Sequence, residues 1–349
     1  MIVIGYVLLA MLITLPIATP GFYNKKNLPG VLLCFLLATA AWFLGRLLPV
    51  AGGAVVAIVL GIVLANCWSY PAMFKPGISA TSKRILQSAI VLLGFQMNLW
   101  HVVALGGRGL IPIFAVIATA VLVAYVIGKI LQVQTNEQIL IGVGTAICGG
   151  SAIAAAAPVI KANEREIVTA ISTIFLFNVL AVFIFPLVGH VLSMSDELFG
   201  FWAGAGINDT SSVVAAAYSM SEEAGNTATV VKLTRALMIL PVTFILAMMQ
   251  TKKADKSEGF SLLKIFPWFV VAFFAASVVN SFEIIPEQVS VFWGSMGRFF
   301  IMVAMAAIGL NTNLRELLRH GRKPILLGAC CSLAVAVVSL LILSLTGLV

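Results

Sequence analysis

Two stretches decide how this chain reads: QILIGVGTAICGGSAIAAAAPVI at 138–160 and ELFGFWAGAGINDTSSVVAAAYSM at 197–220. Each is as long as a membrane span, yet both are rich in Gly, Ala and Ser, with polar residues halfway along, where a simple span would carry Leu, Ile and Phe. They also align with each other. AICGGSAIAAAAP at 146–158 falls on GINDTSSVVAAAY at 206–218, an offset of 60. A second match joins GFQMNL at 94–99 to GLNTNL at 309–314, each followed seven residues on by a glycine, Gly106 and Gly321. Two paired motifs indicate an internal duplication, with repeat halves at about 51–190 and 197–346 and extra N-terminal helices in 2–48.

The surrounding sequence is that of a membrane protein. Of 349 residues, 61% are apolar and 10% charged, with mean hydropathy +1.10, whereas a soluble domain is about 25% charged. Apolar segments fall at 2–20, 28–48, 51–70, 83–97, 108–130, 138–160, 166–190, 197–220, 226–250, 261–281, 288–310 and 324–346. All are expected to be helical, because a backbone in lipid must satisfy its own hydrogen bonds; the alternating ten-residue segments of a β-barrel are missing. No polar stretch is long enough for a soluble domain, so 1–349 reads as one integral membrane domain. The segment 2–20 lacks the basic start of a secretory signal and reads as a retained span. The net charge of +8 comes from Lys and Arg in short links between segments, which is a topology signal and no footprint for nucleic acid.

Counting those links tests how the segments cross. If all twelve cross, the two sides carry fourteen and five cations; if the two Gly-rich segments enter and leave on one side, Lys161 and Arg165 change sides and the tally is sixteen to three. The expected architecture is therefore an all-α polytopic membrane protein with about ten transmembrane helices plus two re-entrant or broken helices in inverted repeats. Broken helices that cross fully remain an alternative.

An interrupted helix at mid-membrane exposes amides at the second half's N-terminus, where the helix dipole favours negative charge, and secondary transporters build binding sites this way. Gly149 and Gly150 let the backbone approach a ligand, while Cys148 and Ser151 add hydrogen bonds. In the second stretch Asn208, Asp209, Thr210, Ser211 and Ser212 supply a carboxylate and hydroxyls. Small residues also serve helix packing, but five consecutive polar residues exceed that need. Lys232 and Arg235, in VVKLTRALMILP, share a helical face. A cation in the bilayer costs about 2.5 to 3.5 kcal/mol on insertion scales, so the two need a counter-charge or must reach the surface beside Glu222 and Glu223. Asp209, the acidic residue of the membrane interior, can neutralise one, leaving a net positive charge for an anion to complete. Gln96, Asn98, Asn311 and Asn313 end helices and either cap them or ligate a coupling cation. Asn178, inside FLFNVLAVFIFP, is a further candidate for lining the cavity. His101, His190 and His320 stand at segment ends. Cys34, Cys67, Cys148, Cys330 and Cys331 show no metal-binding spacing and read as reduced thiols.

GTAICGGSAIAAAAPVIKANEREIVTAISTIFLFNVLAVFIFP, GINDTSSVVAAAY and VVKLTRALMILP together resemble the YeiH-type family of bacterial inner-membrane proteins, the sulfate exporters by label, over nearly the whole chain. More remotely the family is similar to bile-acid/sodium symporters and cation/proton antiporters. The resemblance implies a core-and-panel fold with alternating access, and signature positions at Cys148, Gly149, Gly150, Asp209, Thr210, Ser211, Ser212, Lys232 and Arg235. Family members often carry His before the acidic residue; here it is Asn208, which does not titrate.

The function expected is secondary transport of a small anion, such as sulfate or an organic sulfonate or carboxylate, outward across the bacterial inner membrane. Cys148, Gly149, Gly150, Ser151, Asn208, Thr210, Ser211, Ser212, Lys232 and Arg235 are the expected substrate site. Asp209, Gln96, Asn98, Asn311 and Asn313 are the expected site of a coupling Na⁺ or H⁺. The expected partners are the anion, that coupling ion, the lipid bilayer and a second copy in a homodimer; no cofactor, metal or nucleic acid is called for. No P-loop is present, against an ATP-driven pump. An anion channel is the second reading, and an intramembrane enzyme with Cys148 as nucleophile the third, which lacks a base at matching depth.

Overall fold

The computed structural model describes residues 26–47, 52–68, 70–251, 268–312 and 321–346, and among them every regular element is helical. The expected span at 2–20, the start of the 261–281 segment, Asn313 and His320 lie outside the described residues. The α-helices are α1 (Leu28–Leu47), α2 (Gly52–Cys67), α3 (Lys75–Ala80), α4 (Leu86–Gly94), α5 (Leu99–Ile130), α6 (Thr135–Ala146), α7 (Gly150–Val159), α8 (Glu164–Val191), α9 (Asp196–Gly206), α10 (Thr210–Met220), α11 (Glu222–Leu237), α12 (Ile239–Thr251), α13 (Trp268–Ser281), α14 (Glu287–Leu310) and α15 (Arg322–Leu345). A π-helical turn, Thr81–Ile85, joins α3 to α4. Among the described residues, six stretches are long and apolar enough to cross a membrane: Leu28–Arg46, Leu99–Ile130, Glu164–Val191, Glu222–Leu246, Glu287–Leu310 and Arg322–Leu345.

The chain divides into two units. The first holds the described residues of Met1–Ala104, Val214–Met220 and Trp268–Leu314. Its axis is α14, packed against α1, α2 and α4, so that Phe300 to Leu310 are buried all round. A helix surrounded in this way needs no polar face. The α2–α14 contact is backbone against backbone: a Cβ on Gly309 would lie 2.3 Å from the Ile58 carbonyl oxygen, and one on Gly61 2.5 Å from that of Ala306. Glycine at both positions lets dispersion forces act at close range where lipid supplies no hydrophobic drive between helices.

The second unit holds the described residues of Leu105–Val213, Ser221–Pro267 and Arg315–Val349. Here α15 lies against α6, α8 and α9, and α11 packs along α9. Phe185 of α8 stacks on Trp202 of α9 with centroids 4.2 Å apart, and Trp202 Nε1 donates to the Ala336 carbonyl of α15 at 2.9 Å. The start of α8 is fixed by a capping box: Asn163 Oδ1 accepts from the Glu166 amide at 3.0 Å, and Glu166 Oε2 accepts from the Asn163 amide at 2.8 Å. These contacts hold the two Gly-rich stretches, and both are interrupted. The first breaks at Ile147–Gly149, between α6 and α7, and the second at Ile207–Asp209, between α9 and α10.

Candidate anion site at the two helix breaks

Each break leaves carbonyls at the end of one half-helix and amides at the start of the next, and neither set can pair within the helix. At the first break, Gly149 sits at φ +67° and ψ −125°, a region that excludes residues bearing a Cβ. The glycine is therefore what turns the chain into α7.

The carbonyls are met by the two cations. Lys232 and Arg235, one turn apart on α11, are both 0% exposed. Lys232 Nζ donates to the carbonyls of Ile147 at 2.8 Å and Ile207 at 2.9 Å. Arg235 donates from Nε to Ala146 at 2.8 Å, from Nη1 to Ala205 at 2.6 Å and Ile207 at 3.1 Å, and from Nη2 to Thr145. Because one ammonium holds both, the Ile147 and Ile207 oxygens are no further apart than 2.8 plus 2.9 Å. Two positive groups thus join the negative dipole ends of two broken helices, the sign that a helix C-terminus favours. The surface-reaching arrangement beside Glu222 and Glu223 is not adopted: the cations are held inward by six hydrogen bonds.

Asp209 makes no ion pair with either cation. Its Oδ2 accepts from the Ser211 amide at 3.0 Å and from the Ser211 hydroxyl, so the carboxylate caps the first turn of α10, as an acid at a helix N-terminus does. The sequence expects that Asp209 can neutralise one cation; its hydrogen bonds go to the local cap two residues away.

Around these groups the remaining site residues divide. Cys148 is buried, Ser151 is exposed, and a Cβ on Gly150 would meet nothing within 4 Å, so α7 begins facing open space. Thr210, Ser211 and Ser212 are buried in the first turn of α10. Asn208, 3% exposed, donates from Nδ2 to Ser332 Oγ of α15 at 3.4 Å, and its Oδ1 is buried without a donor. Asn178 of α8, 4% exposed, accepts the Asp209 amide on Oδ1 at 3.2 Å. The other predicted positions belong to the first unit. Gln96 accepts from Arg298 Nη1 at 2.9 Å, and with Asn98 it lines a polar cavity of about 630 Å³ together with Asn280, Glu283 and Glu287. Asn311 ends α14, with its Nδ2 3.5 Å from Ser82 Oγ. His101 and His190 are exposed.

The chain matches the family described as Conserved hypothetical protein 698 over residues 29–328. It is 50% identical to a UPF0324 membrane protein of Streptococcus pyogenes over 327 residues, covering 91% of this chain and 96% of that one. It is 44% identical to those of Fusobacterium nucleatum, covering 90% and 97%, and of Streptococcus agalactiae, covering 93% and 98%. The chain belongs to the UPF0324 membrane protein family. This is the YeiH-type family that the motifs resemble, and the chain is a multi-pass bacterial membrane protein. In this UPF0324 chain, sequence reasoning found the breaks and the cations but missed Ser332 and the carbonyl oxygens that the cations hold. A main-chain acceptor leaves no mark in the sequence. Asn178 did leave one, as an amide isolated in an apolar helix where an unpaired polar group is costly.

Proposed function

We propose that this UPF0324 protein is a secondary active transporter of a small anion, such as sulfate or an organic sulfonate or carboxylate, moving it outward by alternating access with Na⁺ or H⁺ coupling. The observation that carries this reading is the convergence of two broken helices on Lys232 and Arg235. Broken helices with their ends at a common point are the binding-site design of secondary transporters. Two fixed cations against one carboxylate, Asp209, leave one positive charge in excess, and burying that charge uncompensated is costly. A bound anion supplies the missing charge. The open amides of α7 with Ser151 are its donors, and the hydroxyls of Thr210, Ser211 and Ser212 surround the second break. Asp209 and the donor-less Oδ1 of Asn208 offer oxygens to the coupling ion. The architecture that goes with this reading is ten spans and two interrupted segments in inverted repeats.

The test is uptake of radiolabelled sulfate or methanesulfonate into proteoliposomes, with and without Na⁺ and pH gradients. A carrier saturates with substrate and responds to a gradient. Flux that stays linear with concentration and ignores both gradients would refute carriage in favour of a channel.

A further inference from the structure

One group beside the first break has no partner. Asn178 is 4% exposed, and of its two amide atoms only Oδ1 is used, by the Asp209 amide at 3.2 Å. A backbone N–H is a donor, so the atom facing it must be the side-chain oxygen, and the orientation of the amide is fixed with no ambiguity between O and N. Its Nδ2 therefore points the other way, 3.5 Å from where a Cβ on Gly149 would lie. Among the described residues it donates to nothing. The same place holds the start of α7, a ten-residue helix whose Gly150 and Ser151 amides bond to no protein group among the described residues and whose Ser151 is exposed.

We infer that Asn178 is the side-chain donor that orients a small oxyanion at the α7 N-terminus, its Nδ2 and the Gly150 and Ser151 amides converging on the ligand's oxygens. The inference rests on the transport reading above and deepens it. Nδ2 has no protein acceptor among the described residues, so a ligand oxygen can complete its hydrogen bonding, and amides at a helix start favour negative charge. The Asp209 side chain borders this place too, its Cβ 3.5 Å from the same Gly149 Cβ position, with Oδ2 turned to Ser211. No second acceptor reaches the site from Asn178, whose oxygen is held by Asp209. Nδ2 and the two helix-start amides are all donors, and Lys232 and Arg235 stand behind the same break, so the place suits an unprotonated oxyanion with the Asp209 side chain at its border. Asn178 also joins the two breaks, since one amide touches Asp209 and faces Gly149. A ligand that engages Nδ2 is thereby felt at α10.

The experiment measures binding of radiolabelled sulfate and of methanesulfonate to the detergent-solubilised full-length chain, for the parent and for Asn178→Asp. The isosteric carboxylate keeps the acceptor for the Asp209 amide and replaces the donor by a like charge, so affinity is expected to fall at least about tenfold. If the parent binds and Asn178→Asp binds equally well, the inference is overturned while the transport reading stands. If the parent binds neither anion, both fall. Should Asn178→Asp not fold, Asn178→Ala takes its place with the same expected loss. Independently of any change at Asn178, alkylation of Ser151→Cys is expected to slow in sulfate; an unchanged rate overturns the placement of the ligand.

Discussion

Replacing Arg235 by Met tests whether the buried cations hold the breaks together. In the parent, the carbonyls of Thr145, Ala146 and Ala205 have Arg235 as their donor, and among the described residues no other; Ile207 keeps Lys232 if Arg235 is lost. Arg235→Met therefore orphans three carbonyls. Lys232→Met orphans one, Ile147, because Ile207 keeps Arg235. A hydrogen bond within a membrane protein is worth about 0.6 kcal/mol on average, and a buried orphan costs up to about 3 kcal/mol. The loss in Arg235→Met is then about 2 to 9 kcal/mol, and in Lys232→Met about 0.6 to 3 kcal/mol. Each variant also recovers the cost of holding a cation in the bilayer, about 2.5 to 3.5 kcal/mol on insertion scales. That recovery is common to both and cancels in the comparison. The difference between variants survives, at about 1 to 6 kcal/mol with Arg235→Met the less stable. Reversible unfolding by SDS in mixed micelles measures it. Equal stabilities, or the reverse order, would refute the account of the cations as donors to the break carbonyls.

Three further outcomes are expected. Gly149→Ala forces a side chain into φ +67° and should cost about 1 to 3 kcal/mol of stability through backbone strain, although the added Cβ meets its neighbours at an ordinary 3.5 Å; a melting temperature equal to the parent's would contradict this. Gly309→Val should disrupt the α2–α14 contact, since even its Cβ would stand 2.3 Å from the Ile58 oxygen, and the expected result is loss of folded, monodisperse protein in detergent. Asn163→Cys is labelled from the cytoplasm alone if the first Gly-rich segment is re-entrant, and labelling from outside would show that it crosses.

What the sequence alone determined here was the medium and the places where the helices fail. Hydropathy, charge and the demand that a backbone in lipid pair with itself act over a few turns, so the apolar segments and the breaks at Ile147–Gly149 and Ile207–Asp209 were legible from composition and from the 60-residue offset between GGS and DTS. The need of Lys232 and Arg235 for partners was legible too, because a charge in hydrocarbon always needs one. Which partners they have was not. The five carbonyls lie 25 to 90 residues away, every residue carries a carbonyl, and only the tertiary packing that sets α11 beside the ends of both α6 and α9 brings them into reach. Asp209 carries the counter-charge that the sequence expects, but its Oδ2 bonds the Ser211 amide two residues on, because a local cap requires no ordering of distant chain. The polar residues Gln96, Asn98 and Asn311 look equivalent to Asn178 in sequence, yet the fold puts them in a different unit. It is Asn178 that stands between the breaks, because helix α8 packs against α6 and α7.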